Sequence, residues 1–137
     1  MNENKFNGMN HEYVIRSPKV DKLTKTKTGG LKDLAGKCPI YLAPFKSLVE
    51  PFAWVSWKSA KENGGKYPMN NWKKGSPTKL LVSSAIRHLT AHAEGDKIDK
   101  ESGLPHLYHA LWNIGATIWM TKHKPELDEE KFFDGEA

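Results

Sequence analysis

The chain has 137 residues, of which 38% are hydrophobic and 27% charged, and its formal net charge is +5. This composition fits one small soluble domain and excludes a membrane-spanning helix, because no stretch reaches the roughly 18 apolar residues that crossing a bilayer takes. The single cysteine, Cys38, excludes an internal disulfide, and the polar N-terminus lacks the apolar stretch of a secretory signal. We therefore expect a cytoplasmic protein.

The charges are unevenly spread along the chain. Residues 1–37 carry eight Lys or Arg against four acidic residues, whereas residues 123–137 carry two against six. No segment has the dense run of Lys and Arg of a nucleic-acid-binding arm, so phosphorylated small molecules explain the excess as well as nucleic acid does, and we expect no nucleic-acid binding. We expect residues 1–28 to form a flexible basic arm, with a short strand at the Lys/Thr alternation as the alternative. Residues 123–137 form an acidic tail, either loose or with a short helix.

Three amphipathic segments in residues 29–122 predict an all-α fold, a small bundle of three to four main helices. The first helix spans about residues 45–63 and restarts at Pro51, because proline is tolerated in the first turn. The second begins after Ser76 as its N-cap, with Pro77 in the first turn, and continues to about residue 94. The third spans about residues 104–122. The expected core positions of the first two helices are Leu48, Val49, Phe52, Val55, Leu81, Ala85, Ile86, Leu89 and Ala93.

The third helix carries two different stripes. The apolar stripe consists of Leu104, Leu107, Leu111, Ile114 and Ile118. The polar stripe consists of His106, His109, Asn113 and Thr117, at helical spacing. A surface helix would show Lys and Glu on its polar face, yet no charged residue precedes Lys122. This pattern is typical of a buried helix that lines a site.

The second helix and the loop after it repeat the same chemistry. His88 and His92 follow Ser84 at intervals of four residues, and the loop adds four acids: Glu94, Asp96, Asp99 and Glu101. If the helices pack antiparallel, His88 and the loop acids approach His106 and His109. Imidazole with carboxylate is a ligand set for Zn, Mn or Fe, whereas carboxylates alone suit Mg. The structural alternatives are hydrogen-bonded core histidines, solvated acids, and capping of the third helix by Asp99 or Glu101.

Two loops offer contacts to a nucleotide. Residues 66–75 combine cations, amides and two aromatic rings, a mixture suited to base stacking and phosphate contacts. The alternative for Trp72 is packing over the core. The glycine-bounded loop of residues 30–37 adds two further cations, Lys32 and Lys37.

These features together resemble a known phage family, the domain named for the N-terminal region of dATP/dGTP diphosphohydrolases. The resemblance covers about residues 29–120, and its most specific segment runs from Gly95 to Asn113. The motifs that carry it are Gly30-x-Lys32-Asp33-x-x-Gly36-Lys37, Leu42-x-Pro44, Lys66-Tyr67, Asn71-Trp72, Arg87-His88-Leu89 and Gly95-x-x-x-Asp99-x-Glu101-Ser102-Gly103-x-x-His106-x-x-His109-x-x-x-Asn113. The resemblance implies a phage or prophage origin and an all-α fold similar to MazG-like nucleoside triphosphate pyrophosphohydrolases, which pair helices across a dimer. It therefore implies a homo-oligomer.

The function that follows is metal-assisted hydrolysis of a purine deoxynucleoside triphosphate to monophosphate and pyrophosphate. The residues expected to hold the divalent metal or orient water are Asp99, Glu101, His106 and His109. His88 is expected as the general base or a further ligand, which makes His88, Asp99 and Glu101 the catalytic set. The residues expected to bind the nucleotide are Lys32, Lys37, Lys66, Tyr67, Asn71, Trp72, Arg87 and Asn113. The alternatives are a protein that sequesters a nucleotide without cleaving it and, less favoured, a DNA-binding accessory protein.

Overall fold

A computed structural model describes residues 3–6, 13–16, 24–33, 36–129 and 131–132 of the chain. The described part consists of four short strands, three α-helices and several 3-10 turns. The strands are β1 (Glu3–Phe6), β2 (Tyr13–Arg16), β3 (Thr24–Lys25) and β4 (Leu31–Lys32), and the helices are α1 (Phe45–Ser59), α2 (Thr78–Ala93) and α3 (His106–His123). The mostly helical fold is confirmed. Among the described residues, no helix has both the length and the apolar character that a membrane crossing requires.

The N-terminal region contributes two small antiparallel hairpins that the all-α prediction did not include. β1 pairs with β2, and β3 pairs with β4, with Thr24 opposite Lys32. The alternating Lys and Thr residues therefore do form a short strand at Thr24–Lys25, which was the alternative to a flexible arm, because β4 supplies a partner strand. The rest of the expected basic arm, residues 1–2, 7–12 and 17–23, lies outside the described residues, so its flexibility stays a prediction.

The first helix differs from expectation at Pro51 and at its end. α1 runs through Pro51 without a restart, and the proline ring is buried, so packing offsets the hydrogen bond that its nitrogen cannot donate. α1 ends at Ser59 instead of residue 63, because Ala60 takes an extended conformation. Ala60 then bridges to Tyr67, and the backbone nitrogen of Tyr67 donates to the carbonyl of Ser59 at 3.1 Å. This pairing fixes the loop after α1 against the end of the helix.

The second and third helices begin later than predicted, each behind a proline. Pro77 and Pro105 occupy the N-cap positions in extended conformations, and neither helix has a side-chain cap. The assignment of Ser76 as N-cap is therefore wrong. The end of α2 agrees with the sequence, because Gly95 takes a positive φ of 97° directly after it. A 3-10 turn at Pro125–Leu127 supplies the short helix allowed for the acidic tail.

α2 and α3 pack antiparallel, and α3 also contacts α1. The direction follows from two contacts: Thr78 at the start of α2 donates to Asp128 beyond the end of α3 at 2.6 Å, whereas His88 meets His106 at the start of α3. The core cluster of Leu81, Ala116 and Met120 lies between these ends, with Trp72, Trp112, Trp119 and Leu127 packed around it. The apolar core of the α2–α3 pair therefore lies between the Thr78–Asp128 hydrogen bond at one end and the histidines at the other.

The inward face of α3 includes residues of its polar stripe, so the helix that we expected to be buried is buried on this face alone. The buried residues of α3 are His106, Ala110, Asn113, Ala116, Met120 and Thr121. Its apolar stripe faces outward, with Ile114 46% and Ile118 50% exposed. α2 is turned in the same way: Leu81, Ala85 and His88 are buried, whereas the expected core residues Ile86, Leu89 and Ala93 are exposed. In α1, Val55 is buried, but Leu48 and Val49 are exposed.

Candidate functional site

A cleft of about 580 Å³ lies beside the histidine end of the helix pair. Residues of α1, α2 and α3 and of the loops between them form its walls. Ten of the predicted site residues line it: Lys66, Tyr67, Asn71, Trp72, Arg87, His88, Asp99, Glu101, His109 and Asn113. The fold therefore brings most of the predicted constellation to one place.

Two histidines, His88 and His109, line the floor of this cleft, whereas the predicted ligand His106 is not among the lining residues and contacts His88. The Nδ1 atoms of His88 and His106 lie 2.8 Å apart, and the rings of His88 and His109 stack with their centroids 4.6 Å apart. His88 and His106 are buried, with exposed fractions of 5% and 7%. The spacing in each helix explains the contact, because His106 and His109 lie one turn apart on α3 and face one position of α2.

A loop pinned by backbone hydrogen bonds carries Asp99 to these rings. The backbone nitrogen of Asp99 donates to the carbonyl of Leu104 at 2.9 Å, and that of His106 donates to the carbonyl of Lys97 at the same distance. The loop between α2 and α3 thus folds back on itself just before α3 begins. The Asp99 carboxylate comes within 3.5 Å of His109 Nε2.

Asp96 sets the orientation of His106. Its carboxylate lies 3.3 Å from His106 Nε2, so a proton on Nε2 leaves the lone pair of Nδ1 to accept from His88 Nδ1. A carboxylate on the far nitrogen of an imidazole is the usual support of a metal-binding histidine. Asp96 therefore holds His106 in the tautomer that a metal would need.

The charges of the floor follow from burial and from hydrogen bonds. Burial, reinforced by His109 and Arg87, lowers the pKa of His88 to about 4, so the ring is neutral at pH 7. Burial also lowers the pKa of His109, against the opposing effect of Asp99. Burial alone would raise the pKa of Asp99, but hydrogen bonds from Ser102 hold it below its ordinary value. Neutral imidazoles beside a carboxylate are ready to accept a cation or a proton.

The residues that could hold a metal differ from the predicted set. His88, Asp99 and His106 each offer a ligand atom within 4.8 Å of the others. The two Nδ1 atoms lie 2.8 Å apart, a hydrogen-bond distance, and would have to separate to about 3.3 Å around a tetrahedral zinc ion. This set includes His88 as a ligand. Two imidazoles with one carboxylate favour Zn, Mn or Fe over Mg.

Glu101 lies at the rim of the cleft instead of at the cluster. Its carboxylate pairs with the ammonium of Lys66, and the two side chains are 69% and 70% exposed. The hydrogen bond and the charge of Glu101 raise the pKa of Lys66. A pair this exposed contributes little to stability, but it ties the loop after α1 to the loop before α3 across the mouth. The structure thus separates Glu101 from the other predicted metal ligands.

The aromatic residues of the loop at residues 66–75 have separate roles. Trp72 packs edge-on against Phe52, Trp112 and Trp119 at centroid distances of 5.7, 5.8 and 5.0 Å. The alternative role given to Trp72 from the sequence, packing over the core, therefore fits these contacts. Tyr67 is 53% exposed at the rim. Of the two rings, Tyr67 is the one free to stack on a base.

Two predicted phosphate ligands lie away from the cleft. Lys32 on β4 and Lys37 are exposed, and neither is among the described residues that line the cleft. Arg87 and Lys66 are the predicted cations that do line it. Arg87 is exposed and donates to Ser84 at 3.4 Å, which directs its guanidinium along the wall.

Sequence reasoning missed two participants, Asp96 and Ser102. Asp96 looked like a solvated loop acid, and its role follows only from the way the loop folds back. Ser102 lines the cleft, and its Oγ lies 2.6 Å from His109 Nε2. The position of Ser102 seven residues before His109, within the most specific motif, was the available signal.

Comparison with known proteins gives one family match. Residues 27–130 match the family described as dATP/dGTP diphosphohydrolase, N-terminal. The matched range contains all three α-helices and every residue of the cleft. No curated protein and no solved structure matches the chain. The chain belongs to the family of dATP/dGTP diphosphohydrolase N-terminal domains.

Proposed function

We propose that this chain hydrolyses a purine deoxynucleoside triphosphate to the monophosphate and pyrophosphate, with a divalent metal held by His88, Asp99 and His106. The observation that carries the proposal is the cluster of His88, Asp99 and His106, in which burial keeps His88 neutral at pH 7, beside a cleft with cations on its walls. The family description supports the substrate class. A phage would gain an altered nucleotide pool from this activity.

The position of each lining residue suggests its role toward the nucleotide. Arg87 and Lys66 contact the phosphates, because guanidinium and ammonium groups bind phosphate oxygens by charge-assisted hydrogen bonds. Tyr67 stacks on the base, and Asn71 on the same wall offers it hydrogen bonds. His109 is the general base, because it is stacked against His88 but is not among the three metal ligands.

The metal supplies charge at the α-phosphate when bound. Asp96 supports His106 from behind, and Asp99 completes the donor set. The hydrogen that His88 and His106 share at 2.8 Å marks the position that a cation would take, so metal binding must displace it.

The second candidate is a protein that binds a nucleotide without cleaving it. The position of Glu101 favours this candidate. Glu101 pairs with Lys66 at the rim, so Asp99 is the one carboxylate of the His88–Asp99–His106 cluster. This protein would use the same cations and Tyr67, and would need no metal.

Pyrophosphate release from a panel of deoxynucleoside triphosphates, with Mg, Mn, Co or Zn added, separates the two. We expect release with at least one purine substrate, and loss of at least about 100-fold in Asp99→Asn, because metal affinity and charge are removed together. Glu94→Gln is the matched control, since Glu94 is exposed and lies outside the cleft. If pyrophosphate release stays at background with every metal while the protein retains intact labelled nucleotide, the chain binds the nucleotide without cleaving it.

We also propose that the chain forms a homodimer through an apolar groove between α1 and α3. The groove of about 430 Å³ is lined by Leu48, Val49, Phe52, Ala53, Leu111, Ile114, Gly115 and Ile118. None of these eight lining residues is charged, so the groove itself offers no like charges that would repel a second copy. Burying the exposed leucine, valine and isoleucine side chains against the same surface of a partner removes apolar area from water. The groove lies on the opposite side of α3 from its buried stripe, so the dimer leaves the cleft open.

A further inference from the structure

Ser102 has the surroundings of an activated nucleophile. Its Oγ lies 2.6 Å from His109 Nε2, in the reach required for proton transfer between a serine and its base. The side chain lines the cleft, beside the Asp99 loop and the histidine floor. Serine and histidine come from different elements, the loop before α3 and the second turn of α3, so helical spacing alone does not produce this contact.

The backbone around Ser102 holds the hydroxyl in place. The Ser102 nitrogen donates to the Asp99 carboxylate at 3.0 Å, and the Leu104 nitrogen donates to Ser102 Oγ at 3.1 Å. A backbone donor on Oγ stabilises negative charge as the proton leaves. That donor occupies one lone pair of Oγ, and the single hydroxyl proton has two acceptors within reach, the Asp99 carboxylate and His109 Nε2. When the proton points to His109, another lone pair remains for attack.

We propose that Ser102 attacks the α-phosphorus and forms a covalent nucleotidyl-serine, an inference that rests on the proposed hydrolase function. In the first step the Oγ–P bond forms and the P–O bond to the β-phosphate breaks. Pyrophosphate leaves with the electron pair, and the Ser102 proton passes through His109 Nε2 to the leaving group. In the second step water attacks the same phosphorus and gives a proton to His109. The Oγ–P bond then breaks, and Oγ takes that proton back.

Geometry favours this role over simple capping. Pro105, not Ser102, occupies the N-cap position of α3, and α3 has no side-chain cap hydrogen bond. The hydroxyl is therefore not used to start the helix. Arg87 and Ser102 both line the cleft, so a phosphate bound by the guanidinium lies in the same cleft as the hydroxyl.

The experiment is an acid quench of the wild-type protein during turnover of an α-³²P-labelled purine deoxynucleoside triphosphate. Pyrophosphate release is measured in the same samples. We expect label on the denatured protein, and mass spectrometry of its peptides should place one nucleoside monophosphate group on Ser102. Ser102→Ala should lose the adduct and at least about 1,000-fold in rate, as expected for removal of a nucleophile. Ser83→Ala is the matched control, because Ser83 is exposed on α2 and outside the cleft.

The outcomes separate the two proposals. Pyrophosphate release without any adduct would overturn the nucleophile and leave the hydrolase standing. A Ser102→Ala protein that turns over slowly, while the wild type shows no adduct, would make Ser102 a positioning residue for His109. Absence of both release and adduct with every nucleotide would overturn both proposals. Because the adduct is sought on wild-type protein, the result does not depend on how the variant folds.

Discussion

Acid should destabilise this protein well above the pH at which carboxylates titrate, because His88 is buried and neutral. Its pKa falls from 6.5 to about 4 on folding, so the unfolded chain binds a proton over this range and the folded chain does not. The contribution of neutral His88 to the free energy of unfolding is therefore fully present above pH 6.5 and is lost as the pH falls toward 4. At 1.36 kcal/mol per pKa unit, the loss is at most about 3 kcal/mol by pH 4 and about 2 kcal/mol at pH 5. His109, whose pKa is lowered as well, acts in the same direction.

Urea denaturation at pH 7, 6 and 5 measures this loss directly. A chelator should be present, because a metal bound to the folded state would add stability of its own. His88→Gln should flatten the profile between pH 7 and 5, whereas His92→Gln, one turn further along α2 and outside the cleft, should keep the wild-type slope. A wild-type stability that does not change between pH 7 and 5 would refute the assignment of His88 as a buried neutral group.

Three further changes test other parts of the structure. Met120→Ala should lower the free energy of unfolding by about 2–5 kcal/mol in urea titrations, because Met120 is 0% exposed in the core cluster. Arg87→Ala should weaken nucleotide binding in calorimetry by about tenfold or more while leaving unfolding unchanged, because the guanidinium is exposed on the cleft wall. Ile118→Asp should convert the proposed homodimer to monomer in sedimentation experiments, because it places a charge in the apolar groove.

Each of these changes has a matched control. Met69→Ala should cost less than about 0.5 kcal/mol, because Met69 is 45% exposed. Lys61→Ala removes an exposed cation outside the cleft and should leave binding unchanged. Ile86→Asp adds a charge to α2 outside the groove, so it should leave the oligomer intact. A wild-type protein that is monomeric at all concentrations would contradict the dimer surface.

The helices and the grouping of site residues could be predicted from the sequence because both depend on short spacings. A proline precedes each of the three helices and Gly95 follows α2, and the interval between His106 and His109 places both imidazoles on one face of α3. The antiparallel return through residues 94–105 then brings His88 to them. The helix ends and the spacing of the histidines depend on residues close in sequence, and the approach of His88 depends only on the one reversal of the chain between α2 and α3.

Which face of each helix is buried could not be predicted. The periodicity of apolar residues identifies an apolar stripe, but it does not say whether that stripe packs within the same chain or stays exposed for a partner. Ile114 and Ile118 mark a stripe that a single chain leaves exposed, while the histidine stripe turns inward. The metal set also depended on loop geometry: Glu101 and Asp99 are two residues apart in a loop, and only Asp99 turns toward the histidines. Lys32 and Lys37 carry the right charge, but the structure places them on another part of the surface.

Hydrolysis in ¹⁸O-labelled water tests the central claim most directly, since it reports which phosphorus the cleft presents to attack. The proposed chemistry at the α-phosphorus, by way of Ser102 or by direct attack of water, predicts one ¹⁸O atom in the deoxynucleoside monophosphate and none in the pyrophosphate. The label should appear with a purine substrate and a divalent metal, and it should disappear in Asp99→Asn. Label in pyrophosphate or in inorganic phosphate, or an intact triphosphate after prolonged incubation with every metal, would contradict the account.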